Sequence, residues 1–133
     1  MISSPVRTSL ERVLGAEPTS AEPLSGGSIN AAYAVVLGDG KRIFVKENPG
    51  GDAQMFPTEA RGLEWLRAAG AIRIPEVVAV SEPGEAPFIA LELISPGRPG
   101  RHFSERLGRS LARLHRAGAQ HFGLDYDNFI GRL

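Results

Sequence analysis

The sequence contains no cysteine, no excess of charge of either sign and no long apolar run. The absence of cysteine excludes disulfides, zinc–thiolate sites and thiol catalysis. Basic and acidic residues number 15 each, and this net charge of zero disfavours nucleic acid as the main partner. No apolar segment approaches the roughly 18 residues of a membrane span, and the N-terminus lacks the basic and apolar regions of a signal peptide. We therefore expect a cytoplasmic protein with no membrane partner.

The composition is otherwise that of an ordinary globular domain, with 133 residues of which 42% are hydrophobic and 23% charged. A chain of this length buries roughly two-thirds of the surface that its unfolded form exposes, so it can form a core without a disulfide or a metal. Lysine is scarce, because 13 of the basic residues are arginines and only Lys41 and Lys46 are lysines. This bias is a weak indication that a compact ammonium group is required where lysine is kept.

The spacing of apolar residues and the positions of glycine and proline predict helices that alternate with β-hairpins. We predict helices at residues 4–14, 58–70 and 104–117, and strands at residues 31–37, 42–46, 75–81 and 88–94. Residues 17–23 carry two prolines and are predicted to form a connector, while residues 24–26 would end a fifth strand. This order predicts an α+β fold with a mostly antiparallel sheet of about five strands and one packed helix.

An acidic residue, Glu59, lies on the predicted apolar face of the helix at residues 58–70. An ionised carboxylate without a partner there would cost roughly 3–5 kcal/mol, so it requires a cation. The nearest cation with apolar neighbours is Lys46, at the end of the preceding strand. Taken singly, a strand lysine is more often a solvated residue at the edge of a sheet, and a glutamate near the start of a helix more often interacts with the helix dipole. Taken together, a strand lysine and a helix glutamate are the arrangement that holds nucleotide phosphates in protein-kinase-like folds.

Two other segments fit a nucleotide site. A phosphate could be approached closely by the backbone N–H groups of the small residues Gly26, Gly27 and Ser28, which Asn30 follows. The full G-x-G-x-x-G pattern is absent, and Gly-Gly pairs also occur in ordinary turns. The strand at residues 88–94 resembles the strand and hinge of a kinase, with Leu91 beside an adenine pocket. The other interpretation is a buried strand that ends at a linker.

Six stretches of the sequence together resemble the fructosamine kinases, also called ketosamine 3-kinases. They are residues 26–30, 43–46, 55–63, 91–94, 111–115 and 122–131. The stretches MFPTEARGL at residues 55–63 and FGLDYDNFIG at residues 122–131 are the most specific. The strand lysine and helix glutamate are shared more widely, including with kinases of aminoglycosides and choline. The resemblance covers almost the whole chain and implies a protein-kinase-like N-lobe, a hinge and the first helix of a C-lobe.

The resemblance implies that the ATP γ-phosphoryl group is transferred, with Mg²⁺, to the 3-hydroxyl of a ketoamine sugar on a small molecule or a protein. The phosphorylated adduct then decomposes and frees the amine, which is a deglycation repair. Carried over to this sequence, the resemblance assigns ATP contacts to eight residues. Lys46 would bind the phosphates and Glu59 would orient it; Gly26, Gly27, Ser28 and Asn30 would cover the phosphates; the backbone of Glu92 and Ile94 would hold adenine.

The sequence departs from that family in one respect. The His-Gly-Asp-x-x-x-x-Asn catalytic loop and the further magnesium-binding aspartate have no counterpart in these 133 residues. We therefore predict an ATP-binding N-lobe at residues 1–94, a hinge at 95–102 and the start of a C-lobe at 103–133. We expect no catalytic residue and no metal ligand in this chain, with the Mg²⁺ ligands in a missing part of the C-lobe, and no kinase activity from it alone. Asp125, Asp127 and Asn128 are interpreted as turn and packing residues.

Several alternatives remain open from the sequence. The chain could be a non-catalytic nucleotide- or protein-binding module, or part of a small-molecule kinase of the aminoglycoside or choline type. Arginines spaced along the last helix could bind RNA phosphates or an acidic partner, although a solvated helix face is the simpler interpretation. These arginines are Arg106, Arg109, Arg113 and Arg116. Apolar residues of the same helix and of the segment after it would be uncovered without a C-lobe and would favour self-association.

Overall fold

The computed structural model describes residues 1–25 and 29–130. Three helices and five strands follow one another in the order predicted from the sequence, with one additional strand near the N-terminus. They are α1 (Ser4–Leu14), β1 (Pro18–Pro23), β2 (Ala31–Leu37), β3 (Arg42–Glu47), α2 (Met55–Ala68), β4 (Val77–Val80), β5 (Phe88–Glu92) and α3 (Phe103–Arg116). Among these described residues no helix is long and apolar enough to cross a membrane.

The strands form one antiparallel sheet in the order β1-β2-β3-β5-β4. The predicted α+β class and the five-stranded antiparallel sheet are thereby confirmed. Both predicted hairpins are present, since β2 pairs with β3 and β4 with β5. Lys46 in β3 lies opposite Ala32 of β2 and Ile89 of β5, so its strand occupies the middle of the sheet.

The prediction of a connector at residues 17–23 was wrong, because β1 occupies Pro18–Pro23 and pairs with β2. Proline has no N–H to donate, which disfavours it in a central strand. β1 is an edge strand with one neighbour, and its two prolines lie at its ends, so the missing donors are tolerated. The fifth strand therefore ends at Pro23 rather than within residues 24–26, and Gly26 lies outside the described residues.

Each face of the sheet is covered by a helix. Alternate strand residues such as Val35 and Val45 pack against Val6 and Leu10 of α1, and all four are fully buried. The opposite face packs against α2 through a second cluster. This cluster contains Phe56, Ala60, Ile89 and Leu91. The structure thus adds α1 as a second packed helix to the single one that the sequence predicts.

Polar contacts fix α1 to the sheet at two points. At its N-terminal end, the buried Glu47 carboxylate accepts hydrogen bonds from the Ser3 N–H at 3.0 Å and the Ser3 Oγ at 2.6 Å. Near its C-terminal end, the Glu85 carboxylate accepts hydrogen bonds from Ser9 Oγ at 2.8 Å and Arg12 at 2.7 Å. The helix then ends at Gly15, which adopts a φ of 66° that favours glycine.

The last helix, α3, is amphipathic, yet the described residues leave every one of its side chains at least partly exposed. Its apolar side chains include Phe103, Leu107 and Leu111, which are 51%, 37% and 39% exposed. The segment after it returns to α2, where it forms contacts described below.

Candidate functional site

The site is organised around an ion pair between β3 and α2. Lys46 Nζ lies 2.6 Å from both Glu59 Oε1 and Glu59 Oε2. Side chains alternate along a strand, so Lys46 projects to the face that α2 covers, opposite to that of its neighbour Val45. Glu59 lies in the second turn of α2, and Lys46 Nζ is also 5.8 Å from the centre of the Phe56 ring. The structure thus brings together the two residues that the sequence analysis paired.

The ion pair is half-buried, with 23% of the Lys46 side chain and 30% of the Glu59 side chain exposed. A lysine ammonium has three N–H donors, and two of them are directed at the two oxygens of Glu59. One donor is therefore left for another acceptor. An ammonium that is fixed in place, with a donor in reserve and a route to solvent, is suited to bind an anionic oxygen.

Of the other residues assigned to ATP, the structure describes Asn30, Glu92 and Ile94. Asn30 comes just before β2, and its Oδ1 accepts a hydrogen bond from Asn48 Nδ2 at 3.1 Å. Gly26, Gly27 and Ser28 lie outside the described residues.

Glu92 is the last residue of β5 and lies opposite Ile43, three positions along β3 from Lys46. Three residues of a strand span about 10 Å. The Glu92 N–H donates to the Glu76 carbonyl at 2.8 Å, so an adenine contact at Glu92 would have to use its carbonyl oxygen. The Glu92 carboxylate pairs with Arg73, and this hydrogen bond lowers the pKa of Glu92. Ile94 follows the strand and is 41% exposed.

A cavity of about 470 Å³ lies beside the ion pair. One wall is formed by α2, including Thr58, Glu59 and Leu63, and the loop before β2 contributes Asn30. The opposite wall is formed by the segment that follows α3. This wall includes Leu124, Tyr126, Asn128 and Phe129.

The contact between this C-terminal segment and α2 is a feature that sequence reasoning missed. The Arg61 guanidinium lies 3.9 Å from the centre of the Tyr126 ring, and its Nη2 is 2.8 Å from Asp125 Oδ2. Asp125 thus contacts α2 through an ion pair in which its own side chain is 77% exposed, and its interpretation as a turn and packing residue stays a prediction. The contacting residues belong to the two most specific stretches of the resemblance, but they lie 64 positions apart, and no periodic pattern in the sequence indicates such a contact.

The described part of the chain also bears on a metal site and on the arginine row of α3, whose four arginines line a cavity of about 550 Å³. Within residues 1–25 and 29–130, no three histidine, aspartate or glutamate side chains converge as they would to hold a metal ion. In the arginine row of α3, Arg109 pairs with Glu105 at 2.9 Å, and Arg113 contacts Ser110 Oγ at 3.2 Å. Two of its four arginines are therefore engaged within the chain.

Comparison with known proteins decides the family. The sequence model of the fructosamine kinase family matches residues 2–133. The chain belongs to the fructosamine kinase family. Its five-stranded antiparallel sheet with packed helices is the kinase-like N-lobe of that family, as shown by its superposition on a solved relative with a TM-score of 0.83. The resemblance stated from the sequence is confirmed.

Three relatives illustrate the range of this fructosamine kinase family. A probable ketoamine kinase from Synechocystis sp. is 39% identical over 109 residues, which cover 81% of this chain and 37% of the relative. A chloroplastic protein-ribulosamine 3-kinase from Arabidopsis thaliana is 37% identical, with 81% of this chain and 33% of the relative covered. The crystal structure of a candidate fructosamine-3-kinase from Thermobifida fusca is 29% identical and covers 100% of this chain and 46% of that one. The chain therefore spans less than half the length of each of these relatives.

Proposed function

We propose that this chain is the ATP-binding lobe of a ketosamine kinase of the fructosamine kinase type. The observation that carries the proposal is the Lys46–Glu59 ion pair, with both Glu59 oxygens 2.6 Å from Lys46 Nζ. The family match and the names of the relatives support the kinase class. The substrate class, the nucleotide and the deglycation role follow from the family and are part of the proposal.

Lys46 binds the phosphates of ATP in this proposal. Glu59 fixes its ammonium group so that the third N–H donor points at a phosphate oxygen and the positive charge offsets the negative charge there. Glu59 alone would repel a phosphate, so the pair is effective only while Lys46 lies between the carboxylate and the nucleotide.

Adenine binds at the end of β5, about 10 Å along the sheet from Lys46. The Glu92 carbonyl accepts from the adenine amino group, and the Ile94 N–H donates to the ring edge. This separation leaves room for the ribose between the base and the phosphates. Gly26, Gly27, Ser28 and Asn30 cover the phosphates from the side of β2.

The complete reaction in this proposal transfers the γ-phosphoryl group to the 3-hydroxyl of a ketoamine sugar. Phosphoryl transfer needs a residue that positions the nucleophile and, with Mg²⁺, a set of carboxylate ligands. Among the described residues no three histidine, aspartate or glutamate side chains converge, and the sequence contains no His-Gly-Asp motif. We therefore propose that the chain binds ATP and does not transfer phosphate by itself.

The test is a calorimetric titration of ATP, with and without Mg²⁺, into the wild-type chain and into Lys46→Ala. We expect the variant to lose about tenfold or more in affinity, because it loses a hydrogen bond to a charged group. The matched control is Lys41→Ala, which removes the other lysine, at an exposed hairpin position. Equal affinity of all three proteins would contradict the proposed ATP site. Formation of ADP and phosphorylated sugar from ATP and a fructosamine substrate by the wild-type chain would contradict the proposed inactivity alone.

A further inference from the structure

Helix α2, which carries Glu59, lies between the β-sheet and the segment that follows α3. Phe56 and Ala60 point from α2 into the sheet and are buried, whereas Arg61 lies about 100° further around the helix. On that outer side, the segment Leu124–Phe129 packs against the helix. We call residues 124–129 the clasp segment.

The fully buried contacts of α2 with the sheet lie in the first half of the helix. Phe56 and Ala60 are its buried residues, and both precede its midpoint. In the described part of the chain no side chain caps its N-terminus, and Gln54 at that position is exposed. Leu63, at the start of the second half, is half-buried and packs against the cluster that contains Phe56 and Ala60, whereas residues 64–68 include no buried residue among those described. Packing against the sheet alone therefore leaves the tilt of α2 weakly fixed.

The clasp segment contacts α2 at the turn that follows Glu59. The Arg61 guanidinium lies between the Tyr126 ring, at 3.9 Å, and the Asp125 carboxylate, at 2.8 Å. The Tyr126 hydroxyl lies near Gly62, where a Cβ would be 3.7 Å from it, an ordinary van der Waals distance. Within the described residues, this buried hydroxyl has no hydrogen-bond partner, so the ring rather than the hydroxyl supplies the favourable contact.

We propose that the clasp segment positions α2 so that Glu59 meets Lys46, with Arg61 and Tyr126 as positioning residues. Arg61 lies two residues after Glu59, and a change in the tilt or rotation of the helix at Arg61 moves the Glu59 carboxylate with it. The expected effect on ATP affinity rests on the proposed function, whereas the expected effect on the position of α2 does not.

Hydrogen exchange of the α2 amides in the 133-residue chain tests the positioning directly. In Arg61→Ala and Tyr126→Ala, we expect the amides of residues 59–68 to exchange about two- to fivefold faster, as the loss of a cation–π contact predicts. Tyr126→Phe keeps the ring and should exchange as the wild type does. Arg67→Ala is the matched control, because its exposed arginine lies on the same helix and makes no polar contact within the described residues.

A titration of ATP into the same proteins provides the second readout. If both inferences hold, Arg61→Ala and Tyr126→Ala bind ATP about two- to fivefold more weakly, and Tyr126→Phe and Arg67→Ala bind it as the wild type does. If α2 exchanges faster in the two alanine variants but the wild-type chain does not bind ATP, the positioning role of the clasp segment is supported and the proposed nucleotide function is overturned. Unchanged α2 exchange in both alanine variants would overturn the clasp, whatever the ATP affinity. Two independent variants guard against a folding defect in either one.

Discussion

At the scale of single residues, Lys46 and Glu59 are distinguished by shared burial. Among the ion pairs of residues 1–25 and 29–130, theirs is the one in which both side chains are less than a third exposed. Partial burial weakens solvent screening and makes such a pair stronger than an exposed one. The pairing could be predicted from the sequence because each residue interrupts a local apolar pattern. Glu59 places a carboxylate on an apolar helix face, and Lys46 places an ammonium group in an apolar strand.

Glu85 gives the stability of the chain a dependence on pH. Hydrogen bonds from the Glu82 N–H, Ser9 and Arg12 lower its pKa from an ordinary 4.5 to about 2. A carboxyl group whose pKa is lower in the folded state stabilises the fold above its unfolded pKa, and this contribution is lost as the pH falls from 4.5 through 2. In urea unfolding, we expect Glu85→Gln to be less stable than the wild type near neutral pH, and we expect this difference to shrink as the pH falls and to vanish below about pH 2.

The control for this measurement is Glu64→Gln, which changes an exposed glutamate of α2. A pH dependence of the same size in both variants would not be assigned to the hydrogen bonds of Glu85. A Glu85→Gln difference that stayed constant down to the lowest pH would show that these hydrogen bonds do not favour the ionised carboxylate.

At the scale of elements, local periodicity predicted most of the fold. The bounds of α1 agree with the predicted residues 4–14, and those of β2 with residues 31–37. In each segment, the spacing of the apolar residues fits only one type of secondary structure. β1 was missed because two prolines within six residues usually indicate a connector. They are compatible with a strand here only because β1 lies at the edge of the sheet. The contact of the clasp segment with α2 was also missed, since residues more than 60 positions apart leave no periodic signal.

The anchoring of α2 by Phe56 is testable at this scale. Its side chain is fully buried between α2 and the sheet, so Phe56→Ala should lower the free energy of unfolding by about 3–5 kcal/mol. The matched control, Phe103→Ala, makes the same change in α3 at a side chain that is 51% exposed, and should cost less than about 1 kcal/mol. Equal losses in urea unfolding would mean that Phe56 does not anchor the helix.

At the scale of the whole molecule, the structure is a kinase-like N-lobe followed by α3 and the clasp segment. The predicted division at residues 94 and 102 stays a prediction, as does self-association through the exposed apolar side chains of α3. The metal ligands and the catalytic loop of the family could not be predicted from these 133 residues because the sequence does not contain their motifs. What the chain does contain is the ion pair proposed to bind phosphates and the strand end proposed to bind adenine.

The most direct test of that combination is the footprint of ATP on the backbone amides of the ¹⁵N-labelled chain, measured by NMR. We predict the largest chemical-shift changes at Lys46 and Ile94 and their neighbours, and small changes throughout α3. Changes concentrated along the arginine row of α3, or spread evenly over the chain, would contradict the assignment of this lobe as the ATP-binding part of the protein.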